Sequence, residues 1–396
     1  MIDINSKSWR KYFLFGSLYF SEGLQSALAT VIIPVYLLDK GFSIPLATLV
    51  AGVAGAPWYL KFIFGPTIDY FYSFGRKPFI IMGGLLGAIG LFFLIYIDPL
   101  VSLIPFTLFL FLSHLGIIYL DVSCDGWAIQ ISKEKERGKI NGAMYAGLFA
   151  GVAFGTSVIA TIAQVYGYRM SFLAGGSIIL IIMIYPILVK EIKILKKRPK
   201  ISSLLKQEFK KRTTQLVALY GFLSAIGFGI LLFVIPLYMK TILKMDIEQI
   251  GLVTTIYPIT LVIGSSFGGT MADRWGRKMV LFIFSSGIII FSAAFIYAST
   301  WQILALIYGM IGFLNGGYLA TSSALMMDIT NPKIGTSQYS ILASICNFGE
   351  YGSGTISGSL IVLLGFGRVF LYTAWSVGPA LLVLYFIRFK KGDTHP

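Results

Sequence analysis

Four ionisable side chains fall inside long apolar stretches of this sequence, namely Glu22, Lys61, Asp121 and Glu350. A charged group at the centre of an apolar helix costs at least ~2.5 kcal/mol on insertion scales, so its retention suggests a function. An acid that alternates between a polar cavity and the Lys61 ammonium could take up and release a proton at neutral pH. Glu22, Asp121 and Glu350 are therefore candidates for proton coupling. The alternative is a static ion pair between Lys61 and Glu22 or Asp121 that only holds helices together.

Neutral polar side chains in the same stretches could hydrogen bond an organic solute. The candidates for binding a solute, together with Lys61, are Gln25, His114, Asn315, Tyr318 and Asn347. A single histidine in an apolar helix more often serves packing, which ranks His114 below the acids. The sequence has no Walker motif, no zinc-ligand spacing and no Ser-His-Asp arrangement, and it predicts no cofactor and no metal. These absences argue against an enzyme or an ATP-driven pump.

Helices that cross a membrane have to position these residues. The chain has 396 residues, of which 56% are hydrophobic and only 12% charged, whereas a soluble domain has about 25% charged residues. Apolar runs of about twenty residues recur along the chain, each long enough to cross a ~30 Å hydrocarbon layer. They predict an all-α integral membrane protein with twelve spans, at about residues 12–38, 44–66, 77–97, 103–131, 138–163, 169–190, 213–239, 248–271, 278–298, 301–327, 335–364 and 369–389.

The basic residues are distributed unevenly between the predicted loops. Of the 32 Lys and Arg residues, 26 fall on the side of the amino terminus, five fall on the opposite side, and Lys61 lies within a span. This asymmetry is the positive-inside pattern, and it predicts that both termini are cytoplasmic. The net charge of +15 therefore orients the protein and does not indicate a nucleic-acid partner. We expect an inner (cytoplasmic) membrane protein that contacts lipid and is a monomer.

The two halves of the chain resemble each other. "VIIPVYLL" (31–38) matches "FVIPLYMK" (233–240), and "GRK" at 75–77 matches "GRK" at 276–278. A basic stretch, 190–212, separates six spans from six. The predicted organisation is an amino-terminal bundle over 1–189, a cytoplasmic linker over 190–212 and a carboxy-terminal bundle over 213–396. Such repeats are typical of transporters with a solute site between the two bundles.

A charged motif occurs between the second and third span of each half. In the second half it consists of Gly269, Asp273, Arg274, Gly276, Arg277 and Lys278. This pattern resembles the cytoplasmic-loop motif of the major facilitator superfamily. The first half departs from it, with Tyr70 where Arg is usual and three more residues before Gly75. That variant is similar to the group of AmpG muropeptide permeases and acetyl-CoA transporters, as are "WYLKFIFGPTID" (58–69), "DVSCDGWAIQ" (121–130) and "SQYSILAS" (337–344).

The motif and its repeat predict a cytoplasmic gate. Arg side chains can grip carboxylates on neighbouring helices in a bidentate fork. The repeat offset pairs Asp125, at the end of the fourth span, with Asp328, at the end of the tenth. The predicted gate residues are Asp69, Arg76 and Asp125 in the first half and Asp273, Arg274, Arg277 and Asp328 in the second. The alternative is that these charges only end helices at a polar surface.

The resemblance implies a secondary active transporter that works by alternating access. Within the resembled group the solutes are muropeptides or acetyl-CoA, and siderophores in a related branch. Acetyl-CoA carries several negative charges, and Lys61 is the one cation predicted inside the membrane. A muropeptide-like glycopeptide is therefore favoured as the solute of a proton-coupled symporter, and the resemblance implies import. The alternatives are a siderophore or acetyl-CoA transporter, or a non-transporting membrane receptor.

Overall fold

The computed structural model describes residues 2–4, 7–71, 74–131, 134–191, 201–331 and 334–387. These residues are almost all helical, and the β contact described among them is a single bridge between Ile2 and Val189. The predicted all-α membrane fold is confirmed. The helices of the first half are α1 (Ser8–Asp39), α2 (Ile44–Ala54), α3 (Ala56–Tyr59), α4 (Lys61–Tyr70), α5 (Lys77–Leu94), α6 (Leu103–Ile131), α7 (Glu134–Phe154, continued through Gly155–Ile159 to Ala160–Tyr166) and α8 (Tyr168–Leu188).

The second half repeats this order after a short amphipathic helix that belongs to the predicted linker. Its elements are α9 (Ile201–Glu208), α10 (Arg212–Thr241), α11 (Ile247–Trp275), α12 (Arg277–Ala294), α13 (Trp301–Asp328) and α14 (Gly335–Phe386). Residues 192–200 of the linker, Lys133 and the basic residues of 388–391 lie outside the described part of the chain, as do the side chains of Lys135 and Arg137.

Two predicted span boundaries differ from the structure. The second span, predicted as continuous over 44–66, consists of three short helices, because Gly55 and Leu60 interrupt the ladder around Pro57. The last two spans run together as α14, with a sharp bend at Gly365. Within the described residues, ten helices are therefore long and apolar enough to cross a membrane, and α2 is a shorter apolar helix.

The repeat is visible in the backbone as well as in the sequence. Gly75 and Gly276, which precede α5 and α12, have φ angles of 88° and 81°. Gly167, which precedes α8, and Gly365, at the bend of α14, have φ angles of 88° and 76°. Glycine is favoured in this region because other residues are strained there. The two halves thus turn with the same backbone geometry at corresponding positions.

The chain divides into two compact units. The first contains Met1–Ser43, Val53–Lys196 and Asp246–Thr255, and the second contains Ile44–Gly52, Lys197–Met245 and Ile256–Pro396. Each unit therefore includes the beginning of one helix from the other half of the sequence. In the first unit, Gly23 of α1 packs against the carbonyl of Leu148 on α7. In the second, Gly229 of α10 packs against the carbonyl of Glu350 on α14. Glycine permits such a close approach of two helices.

Candidate functional site

A cluster of charged side chains is buried in the first unit. The ammonium of Lys61, at the start of α4, forms an ion pair with the Asp121 carboxylate on α6. The same Nζ atom lies 3.8 Å from Oδ2 of Asp125, one turn further along α6. The side chain of Asp121 is 1% exposed and that of Lys61 is 13% exposed. A single lysine thus faces two acids, of which Asp121 is shielded from solvent and Asp125 is 33% exposed.

Helix α1 adds two more groups to this cluster. The Tyr19 hydroxyl donates a short hydrogen bond to Oδ1 of Asp125. Glu22, one turn further along α1, is buried and lies near Asp121. Because α1 and α6 run in opposite directions, successive turns of one helix meet successive turns of the other. This register places Tyr19 and Glu22 of α1 beside Asp125 and Asp121 of α6.

The charges of this acid cluster do not balance. Glu22, Asp121 and Asp125 would carry three negative charges if all were ionised, and Lys61 offers one positive charge. Like charges cannot be held together away from water without compensation, so at least one carboxyl favours its protonated form or a bound cation. Among the residues that the structure describes, no group of three His, Cys, Asp or Glu side chains is arranged to hold a metal ion. The site thus gathers more carboxyl groups than its one ammonium can balance.

Buried polar groups continue along the same helices. Gln25 on α1 is fully buried, and neither its amide nitrogen nor its oxygen has a hydrogen-bond partner among the described residues. His114 on α6 is also fully buried, and its Nδ1 accepts a hydrogen bond of 3.2 Å from Nε1 of Trp58 on α3. Its Nε2 has no described partner. Such groups need water or a solute to complete their hydrogen bonds.

The second unit contains a neutral pocket. It is lined by Ser224, Phe228, Leu231, Ser285, Ile288, Ile311, Asn315, Tyr318 and Val377. Asn315 donates a 2.5 Å hydrogen bond to the Tyr257 hydroxyl, and the ring of Tyr318 lies 6.2 Å from that of Tyr220. The pocket has room for about one water molecule, with hydroxyl and amide groups beside aromatic rings. Ser224 corresponds to Glu22 in the repeat, so one half carries an acid where the other carries a hydroxyl.

Glu350 and Asn347 lie on α14 of the second unit. Glu350 is partly buried, and no described cation forms an ion pair with it. It lies near Tyr257 and Cys346 of the same unit. Asn347 is partly exposed and is not among the residues that line the neutral pocket.

The predicted gate residues of the second half are partly brought together. Nε of Arg277 lies 3.4 Å from Oδ2 of Asp328. Arg274 is exposed, and the side chain of Asp273 lies outside the described part of the structure. Lys278 donates hydrogen bonds to the carbonyls of Tyr385 and Ile387, at 3.2 Å and 2.7 Å. The motif therefore contacts both α13 and the end of α14.

The first half shows the same lysine contact and a different arrangement of acids. Lys77 donates to the carbonyls of Ile187 and Val189, at 2.6 Å and 2.8 Å. The Arg76 guanidinium lies against Gly126, whereas the neighbouring Asp125 belongs to the acid cluster. The side chain of Asp69 lies outside the described residues.

Comparison with known proteins identifies the family. The family model of the Major Facilitator Superfamily matches residues 15–219 and 217–396. This chain belongs to the Major Facilitator Superfamily. The crystal structure of a D-xylose–proton symporter superposes with a TM-score of 0.73 at 17% identity, covering 96% of this chain and 98% of that one. The predicted superfamily is confirmed, and the apolar helices support a multi-pass membrane protein.

Two curated proteins are similar to this facilitator in sequence. The quinolone resistance protein NorA of Staphylococcus aureus is 29% identical over 131 residues, which cover 32% of this chain and 33% of NorA. The chain thus matches about a third of the length of these curated relatives. An uncharacterised protein of Haemophilus influenzae is 26% identical over 414 residues, covering 95% of this chain and 94% of that protein.

Several residues of this facilitator's sites escape prediction from sequence. Tyr19 binds Asp125, Tyr257 binds Asn315, and the carboxylate of Glu191 accepts from the backbone N–H groups of Arg76 and Lys77. Tyr19 could have been found, because it lies three residues before Glu22 and so shares its helix face. The sequence around Tyr257 and Glu191 does not indicate their roles, because each contacts residues that are far away along the chain.

Proposed function

We propose that this facilitator is a proton-coupled importer that carries its coupling proton in the acid cluster of Glu22, Lys61, Asp121 and Asp125. The observation that supports the proposal is that three carboxyl groups surround one ammonium, with Glu22 and Asp121 buried and Asp125 one third exposed. The D-xylose–proton symporter, which has a similar fold, is named for the same coupling.

The cluster would couple proton movement to solute movement by exchanging partners. While Lys61 pairs with Asp121, it balances one acid, and Glu22 can hold a proton beside that pair. When a conformational change opens the cluster to water on the other side, solvation of the carboxylates favours release of that proton. Glu22 and Asp121 are the primary coupling residues in this proposal. Glu350, which lies in the second unit, is the next candidate if neither of them couples protons.

The solute that we propose is a muropeptide-like glycopeptide. Support comes from the stretches that resemble AmpG permeases and from the neutral pocket, whose hydroxyl, amide and aromatic groups suit a sugar or a peptide amide. Gln25, Lys61, His114, Asn315, Tyr318 and Asn347 stay as proposed contacts. A siderophore is the alternative solute, and acetyl-CoA is less favoured because no described cation lines the pocket. A receptor that does not transport is the alternative from another class.

A second candidate function is export of a toxic compound. The observation that favours it is the 131-residue match to a quinolone resistance protein. Import and export are distinguished by the direction of solute movement when the membrane is energised.

We also propose that the protein is a monomer in the cytoplasmic membrane and that its bundles span 1–189 and 213–396. The arginine–acid pairs of the two motifs form a cytoplasmic gate in this proposal.

Proteoliposomes with an imposed proton gradient test the coupling. Glu22→Gln and Asp121→Asn keep the size of each side chain and remove its titration. We expect both to abolish gradient-driven accumulation while retaining exchange of solute across the membrane. Asp98→Asn, in a loop outside the cluster, is the matched control and should accumulate solute normally. If the Glu22 and Asp121 variants both accumulate solute with the pH dependence of the wild type, neither acid couples protons.

Screening by thermal shift tests the solute. Purified protein is mixed with muropeptides, siderophores, CoA esters and quinolones, and a rise in melting temperature reports binding. We expect a rise with muropeptides that is lost in Asn315→Leu. A rise only with quinolones, together with efflux from energised cells, would favour the export function.

A further inference from the structure

The one-turn helix α3 is attached to α6 at two points. It lies between turns at Gly55 and Leu60, where backbone hydrogen bonds run from the Trp58 N–H to the Gly55 carbonyl and from the Leu60 N–H to the Ala56 carbonyl. The first attachment is the hydrogen bond of 3.2 Å from Trp58 Nε1 to His114 Nδ1. The second comes just after α3, where Lys61 pairs with Asp121. Both attachments are buried, since Trp58 is 6% exposed and His114 is fully enclosed.

The two attachments use one face of α6. His114, Asp121 and Asp125 follow each other at spacings of seven and four residues, which places them on one side of a helix. Trp58 and Lys61 are three residues apart on the interrupted segment. The neutral hydrogen bond therefore lies about two helical turns, roughly 10 Å, from the ion pair along α6. A contact that fixes Trp58 limits where the Lys61 side chain can reach.

We propose that the hydrogen bond between Trp58 and His114 is a positioning contact that holds Lys61 on Asp121 and thereby tunes proton binding by the acid cluster. The inference rests on the proposed proton coupling and adds two residues to it. His114 acts through Trp58 and not by carrying the proton itself. Because its Nδ1 accepts the hydrogen bond, its ring proton is on Nε2 and the imidazole is neutral.

The charge balance gives the direction of the effect. A cation beside a carboxylate favours its ionised form, so a loosely held Lys61 leaves the cluster readier to bind a proton. The titratable groups that face Lys61 are Tyr19 and Glu22 on α1 and Asp121, Cys124 and Asp125 on α6. Losing the positioning contact should therefore move the pH dependence of transport to higher pH.

Four variants test the contact in proteoliposomes. Trp58→Phe removes the donor and His114→Leu removes the acceptor, whereas His114→Asn keeps an acceptor oxygen near the place of Nδ1. Trp127→Phe is the matched control, because Trp127 is fully buried and its Nε1 has no described partner. We expect the first two, alone or combined, to raise the pH of half-maximal transport by roughly half a unit. His114→Asn should restore most of the wild-type profile, and Trp127→Phe should not move it.

Two outcomes would overturn the inference. One is an unchanged pH profile in both Trp58→Phe and His114→Leu, and the other is a double variant whose shift is the sum of the single shifts. If His114→Leu does not fold, the test rests on Trp58→Phe, for which we expect the same rise in the pH of half-maximal transport.

A measurement without transport separates this inference from the proposed function. The melting temperatures of Lys61→Met, Asp121→Asn and their combination form a double-mutant cycle, which reports the coupling of the ion pair. We expect strong coupling in the wild type and weaker coupling in the Trp58→Phe background. If transport shows no proton dependence but this loss of coupling is found, the proposed function fails and the positioning contact stands. If coupling is equal in both backgrounds, the positioning contact is wrong whatever the transport assay shows.

Discussion

At the scale of residues, the acid cluster and an outer ion pair show how burial changes the role of a lysine. Lys61 lies 13% exposed against Asp121, whereas Lys40 lies 31% exposed and 2.9 Å from Asp98 in a loop outside the membrane spans. The hydrogen bond from Lys40, followed by that from the Leu100 N–H, lowers the pKa of the Asp98 carboxyl. Water screens this outer pair, so it contributes little to stability.

Replacing either lysine by methionine should change the free energy of unfolding, by different amounts at the two positions. Lys61→Met should lower the free energy of unfolding by about 3–5 kcal/mol at neutral pH, because it leaves buried carboxylates without their cation. Lys40→Met should cost less than about 1 kcal/mol, since its partner is solvated. Denaturant unfolding of both variants in detergent measures the difference. Equal losses would mean that the Lys61 ion pair is hydrated and that the acid cluster is not a low-dielectric site.

Sequence analysis predicts part of this residue-scale picture. The spacing of four between Asp121 and Asp125 places both on one helix face, and the apolar setting of Lys61 predicts a buried ion pair. The sequence leaves open whether Glu22 or Asp121 is the partner, because pairing depends on the register of α1 against α6. That register is set where helices approach closely at glycines such as Gly23. The sequence pattern alone does not show which helices meet there.

At the scale of elements, the interrupted second span is the main departure from prediction. Both halves carry a proline in this span, yet α11 is continuous through Pro258 whereas the first half breaks around Pro57. Gly55 lies two residues before Pro57, whereas Ile256 lies two residues before Pro258. A proline alone is tolerated in a membrane helix, and the added glycine weakens the ladder further. The positions of the prolines therefore predict a disturbed helix, but they do not predict whether the helix stays continuous or is interrupted.

The two motif loops give a prediction for elements. Gly276 has φ 81° and ψ 151°, and a Cβ there would meet no atom within 4 Å. Gly75 has φ 88°, and its Cβ would lie 2.3 Å from Oε2 of Glu191. That carboxylate accepts from the Arg76 and Lys77 N–H groups at the start of α5, at 2.5 Å and 3.2 Å. Gly276→Ala should therefore cost about 1–3 kcal/mol from backbone strain alone, and Gly75→Ala should cost more.

The control for this prediction removes the obstructing side chain. In a Glu191→Ala background the two glycine substitutions should cost the same free energy of unfolding, because only backbone strain remains. Thermal unfolding in detergent provides the comparison. A larger cost for Gly75→Ala that persists without Glu191 would show that the carboxylate is not what makes this loop sensitive.

At the scale of the whole molecule, the repeat carries most of what the sequence predicts. The corresponding glycines at 75 and 276, and at 167 and 365, adopt the same positive φ, so the matching motifs predict matching turns. Lys77 and Lys278 likewise bind the last carbonyls of the sixth and twelfth predicted spans. The functional groups are placed where the halves differ, as with Glu22 and Ser224. Symmetry thus predicts the framework, whereas the asymmetric residues need the structure to show what they contact.

Orientation in the membrane is the remaining whole-molecule prediction, and it follows from charge. The 26 basic residues on the side of the termini predict that this side is cytoplasmic, because translocation of cationic loops is disfavoured. Ser43, between α1 and α2, and Ser202, in α9, are both exposed serines on opposite predicted sides. In a background without Cys124 and Cys346, a membrane-impermeant maleimide should label Ser43→Cys in intact cells. It should label Ser202→Cys only after permeabilisation, and the reverse pattern, or labelling of both in intact cells, would contradict the predicted topology.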